Sequence, residues 1–322
     1  MVLERSKSFG GKIKKINWKQ YGVILGFFVL CFAISLATPK FLTVSNLLNL
    51  LRQSSIIGII AAGMTFVIIS GNFDISVGAI AALSGAFLMT SLTNGHSLIL
   101  SIIIALVVGS IAGAVNGFLV SKINIPSLIA TMGMVTICRG VLLVYTGGYP
   151  VSYLNEQLTK IGNGYLLGIP IPVIIFFSAI IIGHIILSKT KFGRHIYAVG
   201  GNQEASLLSG INVDFYKIIV FVINGLMAGL AGIVLTARLS TATAVAGEGY
   251  DLDAIAAVVI GGTSVTGGEG NILRTIIGVL LMSVISNSFN LLGVNIHFQY
   301  IFKGLIILVA VGFDSYSKKR EK

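Results

Sequence analysis

Asp74 stands alone among apolar residues in Ser70-Gly71-Asn72-Phe73-Asp74-Ile75-Ser76-Val77-Gly78, and an isolated carboxylate there has two chemistries open to it. It can accept the free amide hydrogens of the helix that follows, as Ser76 also can, or it can line a polar path through an apolar medium. Gly71 and Asn72 permit positive φ just before it. Arg139, deep in another apolar run, needs a carboxylate, a carbonyl or water, and Asp74 is one candidate. Asp251 and Asp253 precede a short apolar run, where acidic side chains complement a helix N-terminus. Asn46, Gln53, Asn116, Asn224 and Asn287, with Ser76, are uncharged polar groups able to meet the hydroxyls of a neutral ligand, although such residues equally hold helices together.

Other chemistries lack their residues. No Gly-x-x-x-x-Gly-Lys-Ser/Thr stretch occurs, and the pairs Gly261-Gly262 and Gly267-Gly268 have no lysine beside them, so nothing here cradles a nucleotide phosphate. His96, His184, His195 and His297 are scattered without metal-ligand spacing. Cys31 and Cys138 lie inside apolar runs, where free cysteine behaves as a small hydrophobe. An intramembrane enzyme needs a cluster of nucleophile, base or metal ligands, and none is present in the sequence. A proton-coupled transporter needs ionisable relays within its spans, and these are few.

The elements that must position these residues are apolar helices. Of the 322 residues 55% are apolar and 10% charged, with mean hydropathy +0.95, whereas a soluble domain carries about 25% charged residues. Ten apolar segments of spanning or near-spanning length recur: 21–38, 54–70, 75–92, 97–120, 127–146, 170–188, 215–238, 254–265, 272–292 and 298–313. The eighth is short against the ~20 residues needed to cross hydrocarbon, and reads as a short or broken helix. The basic stretch before the first segment resembles a signal peptide in outline, but the run is long and lacks a small-x-small cleavage pattern, so it reads as a retained span.

The net charge of +11 points to nucleic acid only if it lies on one soluble face. It does not. With the N-terminus inside, 16 of the 22 Lys and Arg fall on the inner side, four outside and two, Arg139 and Lys303, within spans. That asymmetry obeys the positive-inside rule and places both termini in the cytoplasm. The organisation expected is a basic cytoplasmic segment at 1–20, an all-α polytopic membrane domain at 21–314 with one long cytoplasmic loop at 189–214, and a cytoplasmic tail at 315–322. Small residues such as Gly109, Gly113 and Gly117, at four-residue spacing, let helix backbones approach closely in lipid.

Two further patterns concern mechanism. Phe73-Asp74-Ile75 with Ala79-Ile80-Ala81-Ala82 echoes Tyr250-Asp251-Leu252 with Ala254-Ile255-Ala256-Ala257, on opposite sides in this topology, as an inverted five-plus-five repeat would give. The inner loop from Phe192 to Asn212 contains a short helix signal: Asn202 as N-cap, Glu204 in the first turn, Ala205 and Leu208 on one face, and Gly210 as stop. Such a helix suits docking into another protein's groove, and spacing alone equally allows a solvated loop helix.

At this loop the chain resembles a known family. Gly193-Arg194, Ala198-Val199-Gly200-Gly201-Asn202, Ala205 and Leu208-Ser209-Gly210-Ile211 look like the coupling loop of the ribose/xylose/galactose-type permeases of bacterial ABC sugar importers. Gly63-Met64-Thr65 with Phe73 to Gly78, and the segment from Gly249 to Ser264, resemble that family's other signatures. Asn72 stands where the family usually has glycine, and Ala244 where proline is common. The resemblance implies about ten helices, a permease homodimer, ATPase subunits docked on Asn202, Ala205, Leu208 and Gly210, and an extracytoplasmic sugar-binding protein. ATP and magnesium would be used by those partner subunits, with no cofactor bound by this chain. Permeases for autoinducer-like furanosyl compounds, inositol or nucleosides share these signatures, so the resemblance leaves the solute open between them and a monosaccharide such as ribose.

Overall fold

A computed structural model describes residues 18–319; Arg5, Lys7, Lys12, Lys14 and Lys15 of the basic segment and the last three residues of the tail lie outside the described residues. The helices are α1 (Trp18–Ala37), α2 (Val44–Ile69), α3 (Val77–Thr93), α4 (Leu98–Ser121), α5 (Ser127–Thr146), α6 (Glu156–Asn163), α7 (Ile171–Lys189), α8 (Lys191–Gly201), α9 (Gln203–Leu208), α10 (Val213–Leu239), α11 (Tyr250–Ile260), α12 (Ile272–Leu291) and α13 (Ile296–Lys319). Four two-residue strands complete the order: β1 (Val151–Ser152) pairs antiparallel with β4 (Thr241–Ala242), and β2 (Tyr165–Leu166) with β3 (Ile169–Pro170). These strands tie connections together without altering an all-α architecture.

The boundaries follow from side-chain caps. Thr43, Ser97, Asn155, Thr190, Asn212 and Asn271 each accept an amide hydrogen of the helix they precede, and Gly147 ends α5 with φ +65°. Six described helices are long and apolar enough to cross a membrane: α2, α4, α5, α7, α10 and α12. The apolar stretches Gly22–Ala37 of α1, Val77–Thr93 of α3 and Ile296–Gly312 of α13 are shorter. The eighth expected span, 254–265, is α11, which begins at Tyr250 and stops at Ile260; its 11 residues rise about 16 Å against ~30 Å of hydrocarbon. The third expected span starts two residues late, at Val77, because the chain from Asn72 to Ser76 is not helical.

Burial sets the order of layers. In α2, 89% of the most apolar window is buried, against 28% in α4 and in α5, so α2 is central and those two are peripheral. The second long central helix is α10, which packs against α2, α3 and α4. The stripe Gly109, Gly113 and Gly117 of α4 faces α10 at Phe221, Gly225 and Gly229, and a side chain at Gly113 would collide with the Phe221 carbonyl. Without a hydrophobic drive between helices in lipid, such close backbone contact supplies much of the association. Each short helix sits in a matched setting: α3 between α4, α5 and α10, and α11 between α12, α13 and α2. Their starts meet, because a Cβ on Gly247 would come 2.7 Å from the carbonyl oxygen of Gly78.

Candidate functional site

The break between α2 and α3 is closed by named groups at every step. Helix α2 ends as Gly71, at φ +79°, donates its amide to Ile68 and Asn72 donates to Val67. Asn72 itself does not take positive φ; its side-chain amide donates back to the Ser70 carbonyl at 3.1 Å, which answers how this residue serves where glycine is usual. The Phe73 and Ile75 amides then donate to Ser127 Oγ and Thr131 Oγ1 of α5. Irregular backbone among spanning helices survives only when its polar groups are satisfied from within the protein, and α5 does that here.

Asp74 is fully buried at the centre of a polar knot. Its Oδ1 accepts the Ser76 amide at 2.9 Å and the Ser76 hydroxyl at 2.5 Å, and its Oδ2 accepts Asn224 Nδ2 at 2.9 Å. Asn116 Nδ2 donates to Ser76 Oγ at 2.9 Å. Four residues singled out as polar path candidates thus converge, joining the α2–α3 break to α4 and α10. Asn46 and Asn287 pair with each other instead, exchanging two amide hydrogen bonds of 3.0 and 2.9 Å between α2 and α12. Gln53 stays half-buried on α2, apart from both groups.

Arg139 does not pair with Asp74. Its Nη1 donates to the carbonyls of Ala244 and Ala246, holding the turn that leads into α11, while Asp74 takes its hydrogen bonds from Ser76 and Asn224. Arg139 and Asp251 line a cavity of about 780 Å³ among α3, α5, α11 and α13. Asp253 reaches across it to α13, where its Oδ2 accepts from Lys303 Nζ at 2.7 Å. Asp253 therefore makes an ion pair rather than a cap, and α11 follows Gly249 with no side-chain cap. Sequence reasoning left Lys303, Glu248 and Tyr300 out of the site. Lys303 carried a usable signal, a cation within an apolar run, but the 50 residues separating it from Asp253 hide the pairing.

The inner loop is more helical than its glycines suggest. Residues Lys191–Gly201 form α8, and α9 follows at Gln203–Leu208 with Asn202 Oδ1 accepting the Ala205 amide at 2.9 Å. Gly210, at φ +80°, donates to Leu207 and Ile211 donates to Ser206, ending the short helix. Arg194, Gly201, Asn202, Ala205, Leu208 and Gly210 are exposed, Leu208 at 89%, whereas Ile211 is half-buried. Gly193 and Gly200 face inward: a side chain at Gly193 would strike the Ile186 and Leu187 carbonyls, and one at Gly200 the Ile69 carbonyl.

Helix α8 is fastened to the end of α2 and to the loop that follows α11. The Tyr197 hydroxyl donates to the Gly270 carbonyl at 2.9 Å, and the Gly268 amide donates to Ile69 at the end of α2 at 2.8 Å. Burial pushes the Tyr197 phenol up from its ordinary value, so it keeps this proton at neutral pH. Gly71, Gly200 and Gly267 meet backbone to backbone, so the end of α2, the end of α8 and the loop after α11 share one junction. Among the described residues no group of three or more His, Cys, Asp or Glu side chains is placed to hold a metal ion.

A family model described as branched-chain amino acid transport system / permease component matches residues 46–311. The ribose import permease protein of Bacillus subtilis (strain 168) is 46% identical over 308 residues, covering 95% of this chain and 94% of the relative. That of Escherichia coli (strain K12) is 44% identical over 296 residues, covering 91% and 92%. The L-arabinose ABC transporter permease protein of Azospirillum brasilense is 38% identical over 317 residues, covering 98% and 93%. No solved structure matches the chain. With the family model spanning most of its length and these relatives aligned almost end to end, the chain belongs to this family of transport-system permease components, and is a membrane transport protein rather than an enzyme.

Proposed function

We propose that this chain is the membrane-spanning subunit of an ATP-driven importer that carries a monosaccharide, ribose first, inward across the bacterial cytoplasmic membrane. The names of its relatives support the solute, since those of Bacillus subtilis and Escherichia coli are ribose import permeases. One structural observation carries the mechanism. The exposed helix α9 follows α8 after the single extended residue Asn202, and α8 is fastened by Tyr197 and Gly200 to the end of α2 and to the loop after α11. A pull on α9 therefore reaches the break that opens α3 and the loop that follows α11.

In this reading ten helices span the bilayer, with both termini cytoplasmic, and residues 189–214 form the cytoplasmic coupling loop. The two halves of the chain form an inverted five-plus-five repeat. The packing of α10 on α3 and of α2 on α11 supports it, as does the meeting of Gly78 with Gly247. Separate ATPase subunits use ATP and magnesium and dock on Arg194, Asn202, Ala205, Leu208 and Gly210. A second copy of this chain completes the conduit, and an extracytoplasmic sugar-binding protein delivers the solute. ATP-driven closure of the motor then rocks the permease between outward- and inward-open states.

The test is uptake of labelled ribose into proteoliposomes holding the chain with its ATPase and binding protein. Uptake that requires ATP and persists in the presence of a protonophore is expected. Uptake abolished by the protonophore at constant ATP would make the chain a proton-coupled transporter.

A further inference from the structure

We propose that the cavity among α3, α5, α11 and α13 is a binding station for the translocated solute, a neutral polyhydroxylated molecule, with Asp253 as its main hydroxyl acceptor. This deepens the importer reading above and rests on it. The cavity holds about 780 Å³, inside the ~300–1,000 Å³ typical of small-molecule sites and room for roughly 25 waters at ~30 Å³ each. It lies where the start of α3 meets the turn into α11, in a region lined by both short helices.

The lining is mostly apolar with five charged side chains set into it, and these are distributed in a way that selects chemistry. Glu248, Asp251 and Asp253 supply carboxylate acceptors, Arg139 and Lys303 supply cationic donors, and Tyr300 offers a hydroxyl. A cation would meet Arg139 and Lys303, and an anion would meet three carboxylates. A sugar hydroxyl donates and accepts at once, so it is the group that such a mixed surface receives without an uncompensated charge. Asp253 is committed on one side only: Oδ2 takes Lys303, while Oδ1 is buried without a hydrogen-bond partner, on a side chain 3% exposed. A buried carboxylate oxygen left unmade is costly, and a solute hydroxyl admitted to it by a turn of the Asp253 side chain would satisfy it. Arg139 spends Nη1 on Ala244 and Ala246, which leaves donors on Nε and Nη2.

The experiment reads occupancy directly. In the reconstituted complex with its ATPase and binding protein, Leu252→Cys places a thiol on the cavity wall and Leu167→Cys places one in the β2–β3 hairpin, 95% exposed. Each is titrated with a small thiosulfonate, with and without millimolar ribose. Ribose is expected to slow modification at position 252 several-fold and not at 167, and the protection is expected to vanish when Asp253→Asn is added. Because Lys303 left unpaired can prevent assembly, Asp253→Asn with Lys303→Gln carries the same test in a neutral pair. A wild type that imports ribose while position 252 is unprotected, or protection unchanged by these variants, would overturn the site and leave the importer reading intact. A wild type that imports no ribose would overturn both.

Discussion

Gly78 at the start of α3 packs backbone to backbone against Gly247 in the turn that opens α11, so the two short helices begin at a single point. A side chain at Gly78 would collide with the Gly247 carbonyl, and backbone cannot swing aside as a flexible side chain can. Gly78→Ala is expected to cost about 1–3 kcal/mol, read as a lowered unfolding temperature of the detergent-purified protein. Gly133→Ala on α5, where nothing lies within 4 Å, should be neutral or slightly stabilising in the same assay. Equal effects at both positions would mean that the meeting point is not tight.

The knot around Asp74 predicts a graded series. Asp74→Ala strips acceptors from Ser76 and Asn224 together, leaving buried donors unpaired at about 1–3 kcal/mol each, and should sharply reduce the yield of folded protein. Asp74→Asn keeps one carbonyl acceptor and should fall between the two. A folded yield for Asp74→Ala equal to wild type would remove Asp74 from the structural centre.

Lys303→Met leaves Asp253 as a buried, unpaired carboxylate and should destabilise by about 3–5 kcal/mol, measured by thermal unfolding. Adding Asp253→Asn should restore much of that loss, because the charge then has no need of a partner. Absence of rescue would show that Lys303 acts through packing of its stem.

Tyr197→Phe removes the hydrogen bond to Gly270 and little else, at about 0.5–1.5 kcal/mol of stability. If α8 transmits the motor's movement, this variant should hydrolyse ATP while importing less ribose per ATP. A proportional fall in both rates would assign Tyr197 to folding alone.

How much of this was legible in the sequence depends on how far apart the partners stand. The apolar helices, the Asn202 cap and the Gly210 stop are local, carried by composition and by spacings of three or four residues, and they are visible in the chain. Arg139 in an apolar run needs a carboxylate, a carbonyl or water, but the choice of Ala244 and Ala246 depends on a turn more than 100 residues away. Helix α8 was hidden because Gly193, Gly200 and Gly201 argue against helix locally. Gly193 and Gly200 are required by the Leu187 and Ile69 carbonyls that press on them, a tertiary cause without a local signature. The polar knot illustrates a middle case. Asp74, Ser76, Asn116 and Asn224 stood out one by one as polar residues in apolar runs, and only folding brought them together.

The central claim is that α9 couples this chain to a separate motor. Ala205→Arg and Gly210→Trp alter an exposed face and an exposed stop, so the protein should still insert and fold. The decisive measurement is ribose imported per ATP hydrolysed in proteoliposomes, alongside co-purification of the ATPase. Both variants are expected to lose ATPase co-purification, or to lose import while hydrolysis continues. Normal co-purification together with normal import in both variants would contradict it.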